Sequence, residues 1–275
     1  MIYLGGKARA VFYGARQVRE MYAGSALVYR CSDAPLTLTA QDAGSTVALT
    51  AVGSPTVSGL MYRLGRSGEW LAYTPGTVVT LAAVGDAVQF WNTETTLTKS
   101  SSSYVRFAMT GSVAASGSVQ SMVNYADCTP YCFWGLFRDC KALKTPPLMP
   151  SMKLANNCYN TTYSGSGITE FPVLPATELA ATCYGSMCYY CTDITGDLIL
   201  PARTLITSCY SYMCSGDNKM GNVYVAFTEW SSATSGWLSG INLAKTFYKP
   251  AALPEPETRG GSTVPANWTI INREA

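Results

Sequence analysis

Four cysteines near the middle of the chain, Cys132, Cys158, Cys183 and Cys209, stand 26, 25 and 26 residues apart. Other positions keep the same register. Leu154, Leu179 and Leu205 lie four residues before the last three cysteines, and Pro150, Pro175 and Pro201 lie four before those. An aromatic residue follows each cysteine, at Phe133, Tyr159, Tyr184 and Tyr210. Leu136, Met187 and Met213 come four after it, Phe137, Tyr163, Cys188 and Cys214 five after, and Cys140 and Cys191 eight after. A unit this short cannot bury an apolar face by itself, so its neighbours must stack on it, and the second half of the chain is expected to be a solenoid.

Within a unit such as Leu179 to Cys191, apolar residues recur every four positions, which predicts one face of a short helix. The segment before it, Phe171-Pro-Val-Leu-Pro175, is extended and bounded by proline. Each unit is therefore expected to hold an extended rung, a turn and a helical rung.

Positions two, three, six and seven after the framework cysteine change from unit to unit and are expected to point away from the apolar face. They include Trp134, Arg138, Asp139, Asn160, Tyr189, Tyr190 and Tyr212. These seven are the candidate ligand-binding residues, because tyrosine and tryptophan offer large contact area at low entropic cost. The competing reading is a flank that is merely solvated.

The rest of the chain has other rhythms. In residues 1–33, Tyr3, Tyr13 and Tyr22 recur with Gly6, Gly14 and Gly24, which suggests short strands joined by glycine turns. A piece this small does not hold itself together, so those tyrosines are candidates for attachment or oligomerisation. An ordinary β-meander is the plainer alternative. Residues 34–125 contain β-rich runs about every ten residues, among them Leu36-Thr-Leu38, Thr46 to Leu49, Leu60 to Arg63, Trp70 to Tyr73, Val78 to Leu81, Ala87 to Trp91 and Tyr104 to Phe107. This predicts an antiparallel sandwich, with Trp70 and Trp91 as core anchors. Residues 126–229 carry the repeat. Residues 230–275 depart from it and are expected to cap the last open core, with Trp237 and Trp268 buried.

Composition excludes several functions. The chain has no histidine, which removes Ser-His-Asp and Cys-His catalysis and most zinc hydrolase sites. A net charge of +2 without basic clusters leaves no field for nucleic acid. No stretch reaches the length of a membrane span, and the N-terminus shows no secretory leader, so synthesis in a cytoplasm and no membrane insertion are expected. Asp193, Asp197, Asp217, Glu170 and Glu178 could in principle supply a glycosidase pair, but they are scattered at turns and expected to be solvated, so no enzyme is expected. Ten cysteines invite a metal or disulfide reading. Cys188-Tyr-Tyr-Cys191 has no matching second pair, and most of the ten fall on the repeat's inner face, so free buried thiols, no metal and no cofactor are expected.

The frame from Phe171 to Cys191 resembles the BspA-like leucine-rich repeats of surface proteins of gut Bacteroidales and of their phages and prophages. Lys245-Thr-Phe-Tyr-Lys249 followed by Val264-Pro-Ala-Asn-Trp-Thr-Ile270 is similar to the terminal unit of that family, and the opening around Tyr13-Gly14 and Tyr22 to Tyr29 is similar to leading modules of phage tail-fibre proteins. The frame departs from the family where phenylalanine is usual five after the cysteine, having Tyr163, Cys188 and Cys214.

The resemblance implies a fold that is mainly β with short helices: an N-terminal β-strand module, an antiparallel sandwich, then a leucine-rich-repeat solenoid with a terminal cap. It also implies adhesion or receptor recognition. The expected role is that of a virion tail-fibre or tail-tip protein. Such a protein would bind a host-surface glycan or protein receptor through the variable face, contact other virion proteins through its N-terminus and form a homo-oligomer, a trimer being favoured. A bacterial cell-surface adhesin is the alternative.

Overall fold

The computed structural model describes residues 34–273 throughout, together with four short strands between residues 12 and 30. Those strands form two antiparallel pairs, β1 (Phe12–Tyr13) with β2 (Arg16–Gln17), and β3 (Glu20–Ala23) with β4 (Ala26–Arg30). Tyr13 falls in β1 and Tyr22 in β3, while Tyr3 lies outside the described residues.

The next part is built from β5 (Leu36–Ala40), β6 (Ser45–Val52), β7 (Leu60–Leu64), β8 (Leu71–Ala72), β9 (Val79–Leu81), β10 (Ala87–Asn92), β11 (Tyr104–Thr110) and β12 (Val113–Ser116). Each β-rich run read from the sequence overlaps one of β5 to β11. Strands β6, β9 and β11 make one antiparallel sheet with β6 in the centre. In the other sheet β10 lies between β5 and β7, and β12 pairs with β5. Alternation along each strand sends Leu36 and Leu38, Val88 and Phe90, Val47 and Leu49, and Val105 and Phe107 inward, all of them buried. Phe90 of one sheet meets Phe107 of the other edge to face, 5.2 Å between ring centres. Trp70 and Trp91 are not core anchors. Both are half-buried on an outer face, 5.9 Å apart, with the Arg63 guanidinium 4.6 Å from the Trp70 ring.

The second half is a solenoid whose rungs are turns. The short helices expected for the four-spaced apolar positions are absent; among the described residues the helical segments are two 3₁₀ turns, Val119–Val123 and Ser232–Thr234. In the first coil the amides of Cys132, Trp134, Leu136, Arg138 and Cys140 bond to carbonyls three residues back. The amides between them, at Tyr131, Phe133, Gly135, Phe137 and Asp139, bond to the carbonyls of Asn156, Cys158, Asn160, Thr162 and Ser164 in the next coil. An α-helix would spend every amide within its own coil. Here half of them tie coil to coil, and each buried amide still has a partner. The pattern requires a left-handed residue at every fourth position, supplied by Tyr131, Gly135 and Asp139, then Asn157, Thr161 and Gly165, then Thr182, Ser186 and Tyr190, then Ser208, Tyr212 and Gly216.

Because the turns repeat every four residues, the first and second residues of each turn face in and the third and fourth face out. Two aromatic files result. Phe133, Tyr159, Tyr184 and Tyr210 stack at 5.4, 5.8 and 6.0 Å and end on Trp237. Phe107, Phe137 and Tyr163 stack at 5.2 and 5.4 Å.

A parallel sheet forms another side of the solenoid, in the order β14 (Leu198–Leu200), β15 (Val223–Val225), β16 (Thr246–Pro250) and β17 (Thr269–Arg273), winding about three turns. It runs on through the segment expected to cap the core, where Trp237 and Trp268 are buried. The two halves of the molecule are continuous. β13 (Leu143–Thr145), in the first coil, pairs in parallel with β12, and one apolar core extends from Leu36 to Trp268.

Candidate functional site

The outward positions of the turn rungs hold the seven candidate binding residues, and the structure divides them. Trp134, Arg138 and Asp139 are engaged at the seam with β11. The Trp134 ring stands edge-on to Tyr104 at 4.5 Å, and Arg138 lies 5.9 Å over Trp134. Asp139 accepts from Arg106 at 3.2 Å and sits 3.7 Å from Arg138. These ion pairs are largely solvated and contribute at most about 1 kcal/mol. Gly135 and Gly165 make the fit possible, since a Cβ on the first would stand 3.2 Å from the Tyr104 ring and on the second 2.7 Å from the Asp139 carboxylate. Asn160 stands in the next coil, its amide near the Asn157 side chain and the Thr182 carbonyl at 3.4 and 3.5 Å.

Tyr189, Tyr190 and Tyr212 are different. They are 36%, 52% and 49% exposed, far above the buried tyrosines of the interior files. Tyr189 and Tyr190 meet edge to face at 4.6 Å. Each of the two most exposed rings rests on a glycine of the following coil: Gly216 beneath Tyr190 and Gly236 beneath Tyr212, with added Cβ atoms at 3.0 and 2.5 Å from the rings. Tyr190 and Tyr212 also occupy left-handed backbone, φ 55° and 53°, which is strained for an aromatic residue. The result is a set of exposed, uncharged aromatic rings on two successive coils.

A second exposed row was missed from the sequence. Ile199, Tyr224, Tyr248 and Ile271 are register partners across β14 to β17 and point outward. Ile199 and Ile271 are 62% and 42% exposed, Tyr224 and Tyr248 stack at 4.4 Å, and the Arg273 guanidinium lies 5.4 Å from the Tyr224 ring. The alternation in Val223-Tyr-Val225 beside Leu198-Ile-Leu200 was the available signal.

The acidic residues do not converge. Glu170, Glu178, Asp193 and Asp197 are exposed, and Asp193 is paired with Lys219 at 3.0 Å, which lowers its pKa. Asp217 is not solvated as expected. It is fully buried, neither carboxylate oxygen has a partner, and burial, then the neighbouring Cys191, push its pKa well above the usual range. The described cysteines are free thiols, all buried except Cys128. Among the described residues no group of three or more acidic or cysteine side chains is placed to hold a metal ion, and no helix is long and apolar enough to cross a membrane.

Fold and surface together define a mainly β protein with a C-terminal solenoid that displays aromatic side chains on a rigid frame. Compared with protein-family models, with curated proteins and with solved structures, the chain gives no match.

Proposed function

We propose that this chain is a virion receptor-binding protein of the tail-fibre or tail-tip kind, which presents the outward face of its turn rungs to a host-surface glycan or protein. In this reading the repeats are BspA-like leucine-rich repeats, and the two sheets before them form an immunoglobulin-like sandwich. The N-terminal hairpins β1 to β4 attach the chain to other virion proteins and to its own copies, as a trimer.

The observation that carries the proposal is the set of exposed rings of Tyr189, Tyr190 and Tyr212 on two successive coils, two of them seated on glycines. Exposed aromatic side chains held rigid lose little entropy on binding, which is how tyrosine-rich recognition surfaces work. The seam residues Trp134, Arg138 and Asp139 set the rigid boundary of that face.

The test is a triple Tyr→Ser variant at these positions, assayed for binding to host cells beside a Tyr224→Ser, Tyr248→Ser control. Binding is expected to be lost in the first with little change in melting temperature, and kept in the second. Full binding by the first variant would overturn the assignment.

A further inference from the structure

The tyrosines that follow the framework cysteines are buried together with their hydroxyls. Tyr159, Tyr184 and Tyr210 stand at equivalent positions of three successive coils and are at most 1% exposed. Neighbouring rings are parallel to within 8°, with centres 5.8 and 6.0 Å apart. The hydroxyls at the ring tips follow that spacing, which is too long for one phenol to bond the next. No other side chain or backbone group takes the neighbour's place: the buried hydroxyls of Tyr184 and Tyr210 have no hydrogen-bond partner in the protein.

Phenylalanine would fill the same space with no polar atom to satisfy, as Phe133 does at the head of the file. A buried hydroxyl left unbonded is less stable than the same ring without it. The two ends of the file are already settled. Tyr159 donates to Gln120 Oε1 at 3.4 Å, and Gln120 Nε2 donates to the carbonyl of the half-buried Ala126 at 2.6 Å. At the far end the file stops on Trp237, whose Nε1 donates to the Thr263 carbonyl at 2.8 Å. The two unbonded steps are Tyr159 to Tyr184 and Tyr184 to Tyr210.

We propose that each of these steps is bridged by one water molecule, so that the solenoid core is built around two internal water sites. A water midway along a step stands about 3 Å from the hydroxyl oxygen on either side, the length of one hydrogen bond. Such a site calls for a single small ligand that donates to one phenol and accepts from the other. Water does both, whereas neutral phenols offer an ion no opposite charge.

The donors then run in one direction. Tyr210 donates to one water, which donates to Tyr184; Tyr184 donates to the other water, which donates to Tyr159; and Tyr159 donates to Gln120. Each phenol gives its single proton forward and accepts one from behind. Hydrogen bonds aligned head to tail in a low-dielectric interior strengthen one another. The chain ties coil to coil through side chains, as the alternate amides do through the backbone.

The experiment compares the full chain with two variants that each lose a single oxygen and keep the ring. Tyr184→Phe removes the hydroxyl that both waters share, and Tyr210→Phe removes one partner of one water. Water-oxygen magnetic relaxation dispersion counts long-lived internal waters in solution. The count is expected to fall by two in Tyr184→Phe and by one in Tyr210→Phe. The melting temperature is expected to fall by roughly 2–4 °C in Tyr184→Phe and by less in Tyr210→Phe. Unbridged hydroxyls predict the opposite, since deleting an unbonded buried oxygen leaves stability unchanged or raises it. The proposal is overturned by a count that falls by fewer than two in Tyr184→Phe or holds in Tyr210→Phe, and equally by a melting temperature that holds or rises in Tyr184→Phe.

Discussion

The ring of Tyr190 lies against Gly216 of the following coil, so close that a Cβ on Gly216 would stand 3.0 Å from Tyr190 Cδ1. Gly216 also has φ +86°, outside the range that L side chains adopt readily. The same relation joins Tyr212 and Gly236, at 2.5 Å and φ +63°. Displayed rings and the glycines under them are one device: removing the second side chain is what allows the first to lie flat.

Gly216→Ala and Gly236→Ala are therefore expected to destabilise the fold by about 1–3 kcal/mol each, from left-handed strain together with the displaced ring. The larger loss is expected at Gly236, where the contact is shorter. Denaturant midpoints measure it, and a neutral result at both sites would mean that the rings are free to swing away.

Thr161 makes the opposite case. It holds φ 53°, the worst setting for a β-branched residue, and its buried Oγ1 has no hydrogen-bond partner. Thr161→Gly should relieve both. The gain is expected to be about 1 kcal/mol, since relief of the strain exceeds the added freedom of the unfolded chain. A lower denaturant midpoint for the variant would contradict it.

Much of this architecture was legible in the sequence, for reasons that show where legibility stops. The cysteine register marked the solenoid, and alternation marked β5 to β11, because burial forces those periods on any stacked or pleated structure. Trp134, Tyr189 and Tyr212 were placed outward correctly, although on helices. Over two or three turns a period of four is nearly indistinguishable from 3.6, and the feature that separates them, left-handed backbone at Asp139, Tyr190 and Tyr212, falls on residues that do not announce it. The seam contacts of Tyr104 with Trp134 and of Arg106 with Asp139 join segments about thirty residues apart, and no local pattern encodes them. Asp217 looked like a solvated turn acid because its neighbours Ser215 and Gly216 are turn formers, whereas its burial is set by the coils on either side.

That burial gives a pH dependence. The folded-state pKa of Asp217 is raised above its unfolded value, first by burial and then by Cys191, so the folded state favours the protonated acid. Its penalty is absent below the unfolded pKa of about 4 and grows as pH rises from there towards the folded value. Asp217→Asn removes the titration. The stability of the variant relative to the unmutated chain should thus increase with pH above about 4, when denaturant unfolding is compared across the range. A difference that stays constant with pH would show the carboxyl to be uncoupled from folding.

Phe137 tests whether the two halves of the chain fold together. Its ring lies between Phe107 of β11, 5.2 Å away, and Tyr163 of the next coil, 5.4 Å away, and it is fully buried. Beside it the Phe107 amide donates to the Leu136 carbonyl, and β12 pairs with β13. With the sheets and the solenoid sharing one core, neither can lose its partner and keep its apolar face covered. Calorimetry of residues 34–275 is expected to show one unfolding transition, and Phe137→Ala to shift it as a whole, with a loss of roughly 3–5 kcal/mol. Two transitions, with only the solenoid's moved by the substitution, would mean that the seam is a contact between independent domains. A single shifted transition would make the sheets the cap that closes the first coil of the solenoid, where an open rung would otherwise expose Phe133 and Phe137 to water.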